Sequence, residues 1–148
     1  MKALLAASFF FITSFSGPIH WQKDLDTAKQ VAVAQHKFIL LNFSGSDWCI
    51  PCIRMHREIF NSDPFASYAD QKLVLVNADF PRLKKNHLSK DQEKKNDQLA
   101  DQYNPTGKFP YTVLMNAEGK VIRTWDGLPS DGTEGFIIEV DNALNSAK

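Results

Sequence analysis

The sequence predicts an α/β domain in which a central mixed β-sheet is flanked by helices. The continuous apolar run Phe38–Phe43 has the length of a strand buried on both faces, and Lys72–Phe80 is predicted to be a second buried strand. Helical segments come before and between them, as in parallel crossovers. Later in the chain, two strand-like segments flank a turn at Ala117–Lys120, which predicts an antiparallel hairpin. The predicted order is helix, strand, helix, strand, helix, strand, strand, helix.

The composition is that of a globular chain without a bias toward a charged partner. The chain has 148 residues, the size of one domain, and 43% of them are hydrophobic. Its 17 Lys and Arg residues balance 17 Asp and Glu residues. This balance gives no reason to expect nucleic-acid binding or electrostatic attachment to a membrane.

Residues 1–16 are predicted to be a secretory signal peptide, which leaves 17–148 as the folded domain. Lys2 is followed by an apolar run from Ala3 to Phe15, and Ser14 and Ser16 place small residues before a cleavage site. A membrane anchor is the alternative, but the run is shorter than the about 20 apolar residues that a span needs. We therefore expect a periplasmic or other extracytoplasmic location.

The first helix is predicted between Trp21 and Lys37, with Asp24 or Asp26 at its N-terminus. Its inward face should carry Leu25, Ala28, Val31 and Ala32. The strand Phe38–Phe43 follows.

Both cysteines of the chain lie in the next segment, FSGSDWCIPCIRMHREIF. SGSDW predicts a turn, and IPCIRMHREIF predicts a helix with Pro51 in its first turn. Cys49 therefore stands at a strand-to-helix junction. The apolar positions of this helix are Ile53, Met55, Ile59 and Phe60.

The middle of the chain alternates again between helix and strand. A short helix should begin near Asp63 and Pro64, before the strand Lys72–Phe80. The charged segment 81–97 is interpreted as a solvated loop that leads into a helix from about Asp91 to Tyr103.

The last third contains the hairpin and the closing helix. NPTGKFP breaks the chain at Asn104–Pro110, and YTVLMN and KVIRTW form the predicted hairpin strands. The segment 133–147 predicts a helix whose inward residues are Phe136, Ile137, Val140 and Leu144.

Three roles are open to a Cys-x-x-Cys pair: a structural crosslink, half of a metal site, or a redox couple. A crosslink between Cys49 and Cys52 closes a very short loop and adds little stability, since stabilisation grows with loop length. A metal site could use Cys49, Cys52 and His56, but structural zinc sites usually have four ligands. His56 is interpreted as a partly exposed helix residue.

The junction of a buried strand and a helix that carries Cys-x-x-Cys resembles the thioredoxin superfamily. The resemblance covers about residues 21–148. Within the superfamily, the motif FSGSDWCIPCIRM most specifically resembles exported thioredoxin-like proteins, including bacterial periplasmic disulfide reductases and isomerases. NADFPRLKKNHLSKDQ and YNPTGKFPYTVLMNAEGK also fit that group. It implies the thioredoxin fold and an enzyme, a protein thiol–disulfide oxidoreductase.

The resemblance assigns catalytic roles to three residues. Cys49 would attack a substrate disulfide, because the partial positive charge of a helix N-terminus stabilises a thiolate. Cys52, one turn along and more buried, would resolve the mixed disulfide. Pro110 would be a cis-proline facing the pair; an ordinary proline at the start of a strand is the alternative.

Substrate binding would fall to residues beside the pair. The resemblance implies that Trp48 packs next to the site and that the Phe109 carbonyl offers a hydrogen bond to an extended substrate segment. Ile50 and Pro51 separate the cysteines, and Pro51 restricts the loop between them. The redox-active disulfide would be the only cofactor, with no metal.

Two departures from typical thioredoxin bear on the mechanism. The position of its buried Asp is Asn42 here, and an Asn side chain cannot act as a base toward Cys52. Asp47 is close in sequence but is expected to point to solvent. The 43–49 loop and the segment before Pro110 each look one residue longer than in thioredoxin.

The leading interpretation is a reductase or isomerase that acts on disulfide-containing exported proteins as a monomer. It would be recharged by a membrane thiol–disulfide electron donor. Alternatives are an oxidant of the same fold that introduces disulfides, or a non-catalytic interaction or metal-binding module.

Overall fold

The computed structural model describes residues 19–147. The predicted signal peptide, residues 1–16, lies outside this range. In the part of the chain that is described, no helix has both the length and the apolar character needed to cross a bilayer.

The predicted α/β domain with a mixed sheet is confirmed. Five strands form one sheet in the order β1-β3-β2-β4-β5. The strands are β1 (Trp21–Gln22), β2 (Phe38–Ser44), β3 (Leu73–Asp79), β4 (Tyr111–Met115) and β5 (Val121–Asp126). β1, β2 and β3 are mutually parallel where they pair, whereas β4 runs antiparallel to both β2 and β5. The hairpin predicted near the C-terminus is therefore β4–β5.

Five α-helices cover the two faces of the sheet. They are α1 (Leu25–Gln35), α2 (Ile50–Met55), α3 (Asp63–Lys72), α4 (Lys90–Tyr103) and α5 (Gly132–Ser146). α1 and α4 bury apolar residues against one face, in a core that includes Ala28, Ala32 and Leu99. α2, α3 and α5 cover the other face, with Met55, Phe65 and Phe136 in the second core. The sheet is therefore the middle layer of three, as its apolar β2 and β3 sequences require.

The start of the domain differs from the prediction. The first helix begins at Leu25, where Asp24 is the N-cap and its carboxylate accepts a hydrogen bond from the Asp26 N–H at 2.9 Å. Trp21 and Gln22 are not helical but form the edge strand β1, which pairs with Leu75 and Val76. A two-residue strand has no periodicity of its own, so only its pairing with β3 identifies it.

The helix that begins after Cys49 extends beyond α2 and is irregular at its end. α2 continues directly into a π-helical turn at His56–Phe60. The wider turn lets the consecutive residues Ile59 and Phe60 both enter the core, since both are almost completely buried. Ile53, predicted as an apolar core position, is instead 37% exposed, because it lies on the solvent face of the helix.

Candidate active site

Cys49 and Cys52 lie where β2 leads into α2, as the sequence predicts. Cys49 is the N-cap of α2, and its Sγ accepts a hydrogen bond from the Cys52 N–H at 3.3 Å. The two cysteines form a disulfide with a Cα–Cα distance of 5.2 Å. An N–H group directed at Sγ is the type of contact that stabilises a thiolate once the disulfide is reduced.

The two cysteines differ in their access to solvent. Cys49 is 5% exposed and Cys52 is fully buried, so the predicted order of burial is confirmed. Ile50, next to Cys49, is 66% exposed, and Pro51 is also exposed in the first turn of α2. An incoming chain would therefore meet Cys49 and Ile50 first.

The segment Gly45–Cys49, here called the active-site loop, is fixed by two carboxylates. Asp79 accepts hydrogen bonds from the Ser46 N–H at 2.8 Å and the Ser46 hydroxyl at 2.5 Å. Asp47 accepts from the backbone N–H groups of Arg82 and Leu83, both at 2.9 Å. Asp79 therefore ties this loop to the end of β3, and Asp47 ties it to the segment that follows β3.

Asp47 does not simply point to solvent, which corrects the prediction. Its carboxylate also accepts a hydrogen bond from Asn86 Nδ2 at 2.9 Å. The hydrogen bond from the Arg82 N–H, with those from Asn86 and Leu83, holds the pKa of Asp47 below its usual value. The charged loop after β3 thus gains its shape from an acid in the active-site loop.

Trp48, the residue before Cys49, is held by three contacts with other segments. Its Nε1–H donates to the Phe80 carbonyl at 2.7 Å, and its ring meets Phe109 edge to face at 5.4 Å between centroids. The Arg82 guanidinium lies over the same ring, 3.6 Å from the centroid. The Phe109–Pro110 peptide bond is cis, as predicted, and Pro110 is buried at the start of β4.

Below the active-site loop, the sheet carries a group of neutral polar side chains, here called the amide cluster: Asn42, Asn77, Thr112 and His56. The strand register builds it, since Asn42 on β2 stands between Asn77 on β3 and Thr112 on β4. Asn42 donates to Asn77 Oδ1 at 3.2 Å and accepts from the Thr112 hydroxyl at 3.2 Å. The position expected to hold a buried acid in the family is therefore a fully buried, hydrogen-bonded amide.

His56 completes the amide cluster from the helix side. Its Nε2 lies 3.4 Å from Asn42 Nδ2, and its ring packs between Trp21 and Phe60 at 5.4 and 5.1 Å. Burial lowers the pKa of His56, against smaller raising effects of Asp79 and Asn77. His56 is a partly exposed helix residue, as the sequence was interpreted, but the sequence did not predict these contacts. Its spacing of four residues from Cys52 was the available signal.

The described residues 19–147 contain no group of three or more His, Cys, Asp or Glu side chains arranged to hold a metal ion. Cys49, Cys52 and His56 are thus not arranged as a metal site in this structure.

The family comparison matches residues 25–133 to the thioredoxin-like domain. Two relatives come from Chlamydia pneumoniae. The disulfide bond reductase DsbH is 41% identical over 109 residues, which is 74% of this chain and 63% of that protein. The thioredoxin-related protein DsbJ is 27% identical over 72% of this chain and 30% of that protein. The chain thus spans less than two thirds of the length of either relative.

Solved structures agree with the fold. A DsbH oxidoreductase structure is 32% identical, with a TM-score of 0.79, over 98% of this chain and 95% of that one. A disulphide isomerase from Xylella fastidiosa shares the fold at 19% identity and a TM-score of 0.60, over 79% of this chain and 88% of that one. By its matched domain, its fold and its Cys-x-x-Cys position, this chain belongs to the thioredoxin-like family.

Proposed function

We propose that this protein is a thiol–disulfide oxidoreductase that reduces or isomerises disulfides in exported proteins. The observation that carries the proposal is the Cys49–Cys52 disulfide at the N-terminus of α2, with the Cys52 N–H directed at Cys49 Sγ. The name of the related disulfide bond reductase supports the same activity.

The first step uses the reduced pair. The Cys49 thiolate attacks one sulfur of a substrate disulfide, and a bond forms between Cys49 Sγ and that sulfur. The substrate S–S bond breaks, and its electron pair leaves on the other substrate sulfur, which takes a proton from solvent. The helix N-terminus favours this step because it stabilises the thiolate without a buried countercharge.

The second step returns the structure described above. Cys52 loses its proton and attacks Cys49 Sγ, so that the Cys49–Cys52 bond forms. The bond to the substrate breaks, and the substrate leaves fully reduced. An external dithiol must then supply two electrons and two protons, and a membrane thiol–disulfide donor is the partner we propose. The redox disulfide serves as the only cofactor.

Substrate recognition is assigned to the surface around Cys49. Exposed Ile50 and Pro51 offer apolar contact on one side. Trp48 and Phe109 form an aromatic wall on the other, in edge-to-face contact. A substrate segment in extended conformation would pair with the Phe109 backbone, just before β4 begins at Tyr111.

The proposed location and assembly follow from the sequence. Residues 1–16 have the pattern of a signal peptide, which supports export to the periplasm or another extracytoplasmic space. Export suits the chemistry, because disulfides in substrate proteins persist outside the cytosol. We propose that the folded domain works as a monomer.

The test is reduction of insulin by dithiothreitol, followed by turbidity, with and without the purified domain. We expect clear acceleration by the native protein and none by Cys49→Ala. Equal rates with both proteins would refute the enzymatic proposal.

The reduction potential of the pair then decides direction. A value near about −270 mV indicates a reductant, and a value near about −120 mV indicates an oxidant that introduces disulfides. A value below about −300 mV without exchange activity would indicate a structural disulfide.

A further inference from the structure

The mechanism above leaves one proton without an acceptor. Cys52 must lose its proton before it can attack Cys49, and a free cysteine is mostly protonated at neutral pH. Cys52 is fully buried, so bulk water does not reach its thiol directly. Asn42, at the position where the family holds a buried acid, is a neutral amide whose oxygen already accepts from Thr112, and an amide does not titrate in this range.

One titratable side chain, that of His56, lies on the same continuous helix as Cys52. It lies four residues after Cys52 on one continuous helix, and its backbone N–H donates to the Cys52 carbonyl. Side chains four residues apart lie on the same face of a helix. From that face the imidazole reaches the amide cluster, with Nε2 at 3.4 Å from Asn42 Nδ2.

The surroundings of the His56 ring contain partners for the neutral and for the protonated form. With the ring proton on Nδ1, Nε2 carries a lone pair that accepts from Asn42. When the ring is protonated, the imidazolium gains a favourable interaction with the charge of Asp79 and with the Asn77 side chain. The cluster therefore offers a partner to His56 before and after it takes a proton.

We propose that His56 is the general base that accepts the Cys52 proton during resolution of the mixed disulfide, in place of a buried acid. The inference rests on the proposed oxidoreductase function. The proton moves from Cys52 Sγ to His56 Nε2, directly or through one water molecule. The Cys52 sulfur then bonds to Cys49 Sγ, and the electron pair of the Cys49–substrate bond leaves on the substrate sulfur. The imidazolium returns its proton through solvent to that thiolate.

The surroundings of His56 favour the neutral imidazole. Trp21 on β1 and Phe60 on the π turn flank the ring, and the nearby charge is Asp79 on β3. Burial among them favours the neutral imidazole, which is the form that can accept a proton.

The experiment separates attack by Cys49 from resolution by Cys52. The reduced domain is mixed with Ellman's reagent in a stopped-flow instrument at a series of pH values. Cys49 releases the first thionitrobenzoate anion when it forms the mixed disulfide, and Cys52 releases the second when it closes the internal disulfide. The second phase reports the step in which His56 acts.

The informative variant is His56→Gln, whose amide keeps an acceptor for Asn42 but does not titrate. Near neutral pH we expect its second phase to slow by about tenfold or more, the low end of a general-base effect. The slowing should shrink at high pH, where the Cys52 thiolate forms without a base. The first phase should stay within about twofold, because Cys49 is activated by the helix N-terminus. The matched control is His20→Gln, an exposed histidine, which should leave both phases unchanged.

An unchanged second phase in His56→Gln, in rate and pH profile, would overturn the inference and leave the proposed function intact. A missing first phase in the native protein would refute the proposed function, and the inference with it. Should His56→Gln fail to fold, the native profile decides. A second phase that rises about tenfold per pH unit throughout the neutral range reflects thiolate supply alone and overturns the inference; a plateau supports it.

Discussion

The active-site loop and the amide cluster are stabilised by different kinds of polar group: ionised carboxylates in the loop, and neutral side chains in the cluster. The loop is held by two carboxylates, Asp47 and Asp79, which accept hydrogen bonds mainly from backbone N–H groups at its solvent-facing side. The cluster has no carboxylate among its members. Asn42 and Thr112 are fully buried there, and their polar atoms satisfy one another.

The difference follows from the cost of burying charge. A carboxylate near water can stay ionised while it accepts several hydrogen bonds, so it can shape a loop at little cost. The same group at the fully buried position of Asn42 would lose most of its hydration, and an unpaired buried charge is strongly unfavourable. The protein therefore uses acids to position the loop and neutral groups to fill the interior. A titratable imidazole, His56, stands at the edge of that interior.

The largest expected effect sharpens the assignment of the two cysteines. Cys52→Ser should accumulate a covalent complex with a disulfide substrate, because Cys49 can attack but no thiol can resolve the product. Non-reducing gel electrophoresis and mass spectrometry detect that complex. Cys49→Ser is the control and should trap nothing. Trapping by Cys49→Ser instead would reverse the assigned roles.

The next effect is on the amide cluster. Thr112→Val keeps the shape of the side chain but removes the hydroxyl that donates to Asn42 Oδ1. A buried acceptor without its donor costs about 1–3 kcal/mol, so the free energy of unfolding in urea should fall by that amount. Thr124→Val, at an exposed position on β5, is the matched control and should change it by less than about 0.5 kcal/mol. Equal losses in both variants would show that the buried hydrogen bond does not contribute more to the free energy of unfolding than an exposed hydroxyl does.

A smaller effect is expected on the active-site loop. Asp47→Ala removes the acceptor shared by the Arg82 and Leu83 N–H groups. Hydrogen exchange at these two amides should quicken by about tenfold, while exchange in β2 and β3 stays unchanged. Asp47→Asn retains one acceptor oxygen and should give an intermediate rate. Unchanged exchange at both amides in Asp47→Ala would mean that other contacts hold this segment.

The smallest effect is the pH dependence of stability through His56. Its pKa in the folded protein lies below the usual 6.5, chiefly because of burial, so the unfolded chain binds the proton more readily. The contribution of His56 is therefore fully present above pH 6.5 and is lost as the pH falls through its folded pKa. Urea unfolding at a series of pH values should show a decline toward acid that is weaker in His56→Gln. A parallel decline in both proteins would assign it to other groups.

Much of the site could be predicted from the sequence because its signals are local. Cys49 precedes a proline-started helix, so its position as the N-cap follows from a few neighbouring residues. Pro110 follows an aromatic residue before a strand, and the family resemblance identified its cis bond. The runs at β2 and β3 were apolar enough to predict a buried sheet.

The remaining features depend on contacts between distant segments. β1 is two residues long and exists through its pairing with β3, more than 50 positions later. Asp47 looked free because its three donors lie about 35 to 39 residues away. Ile53 looked like a core residue because helical spacing does not say which face meets the sheet.

By itself, the sequence determined the fold class, the Cys-x-x-Cys pair and its place at a helix N-terminus, since these depend on periodicity and on neighbouring residues. Only the tertiary structure decided that Asn42 is a buried, hydrogen-bonded amide, and that His56 reaches it from the helix. Those facts come from the register of β3, β2 and β4 and from the packing of a helix onto them. Strand register joins residues that are far apart in the chain, and no local pattern records it.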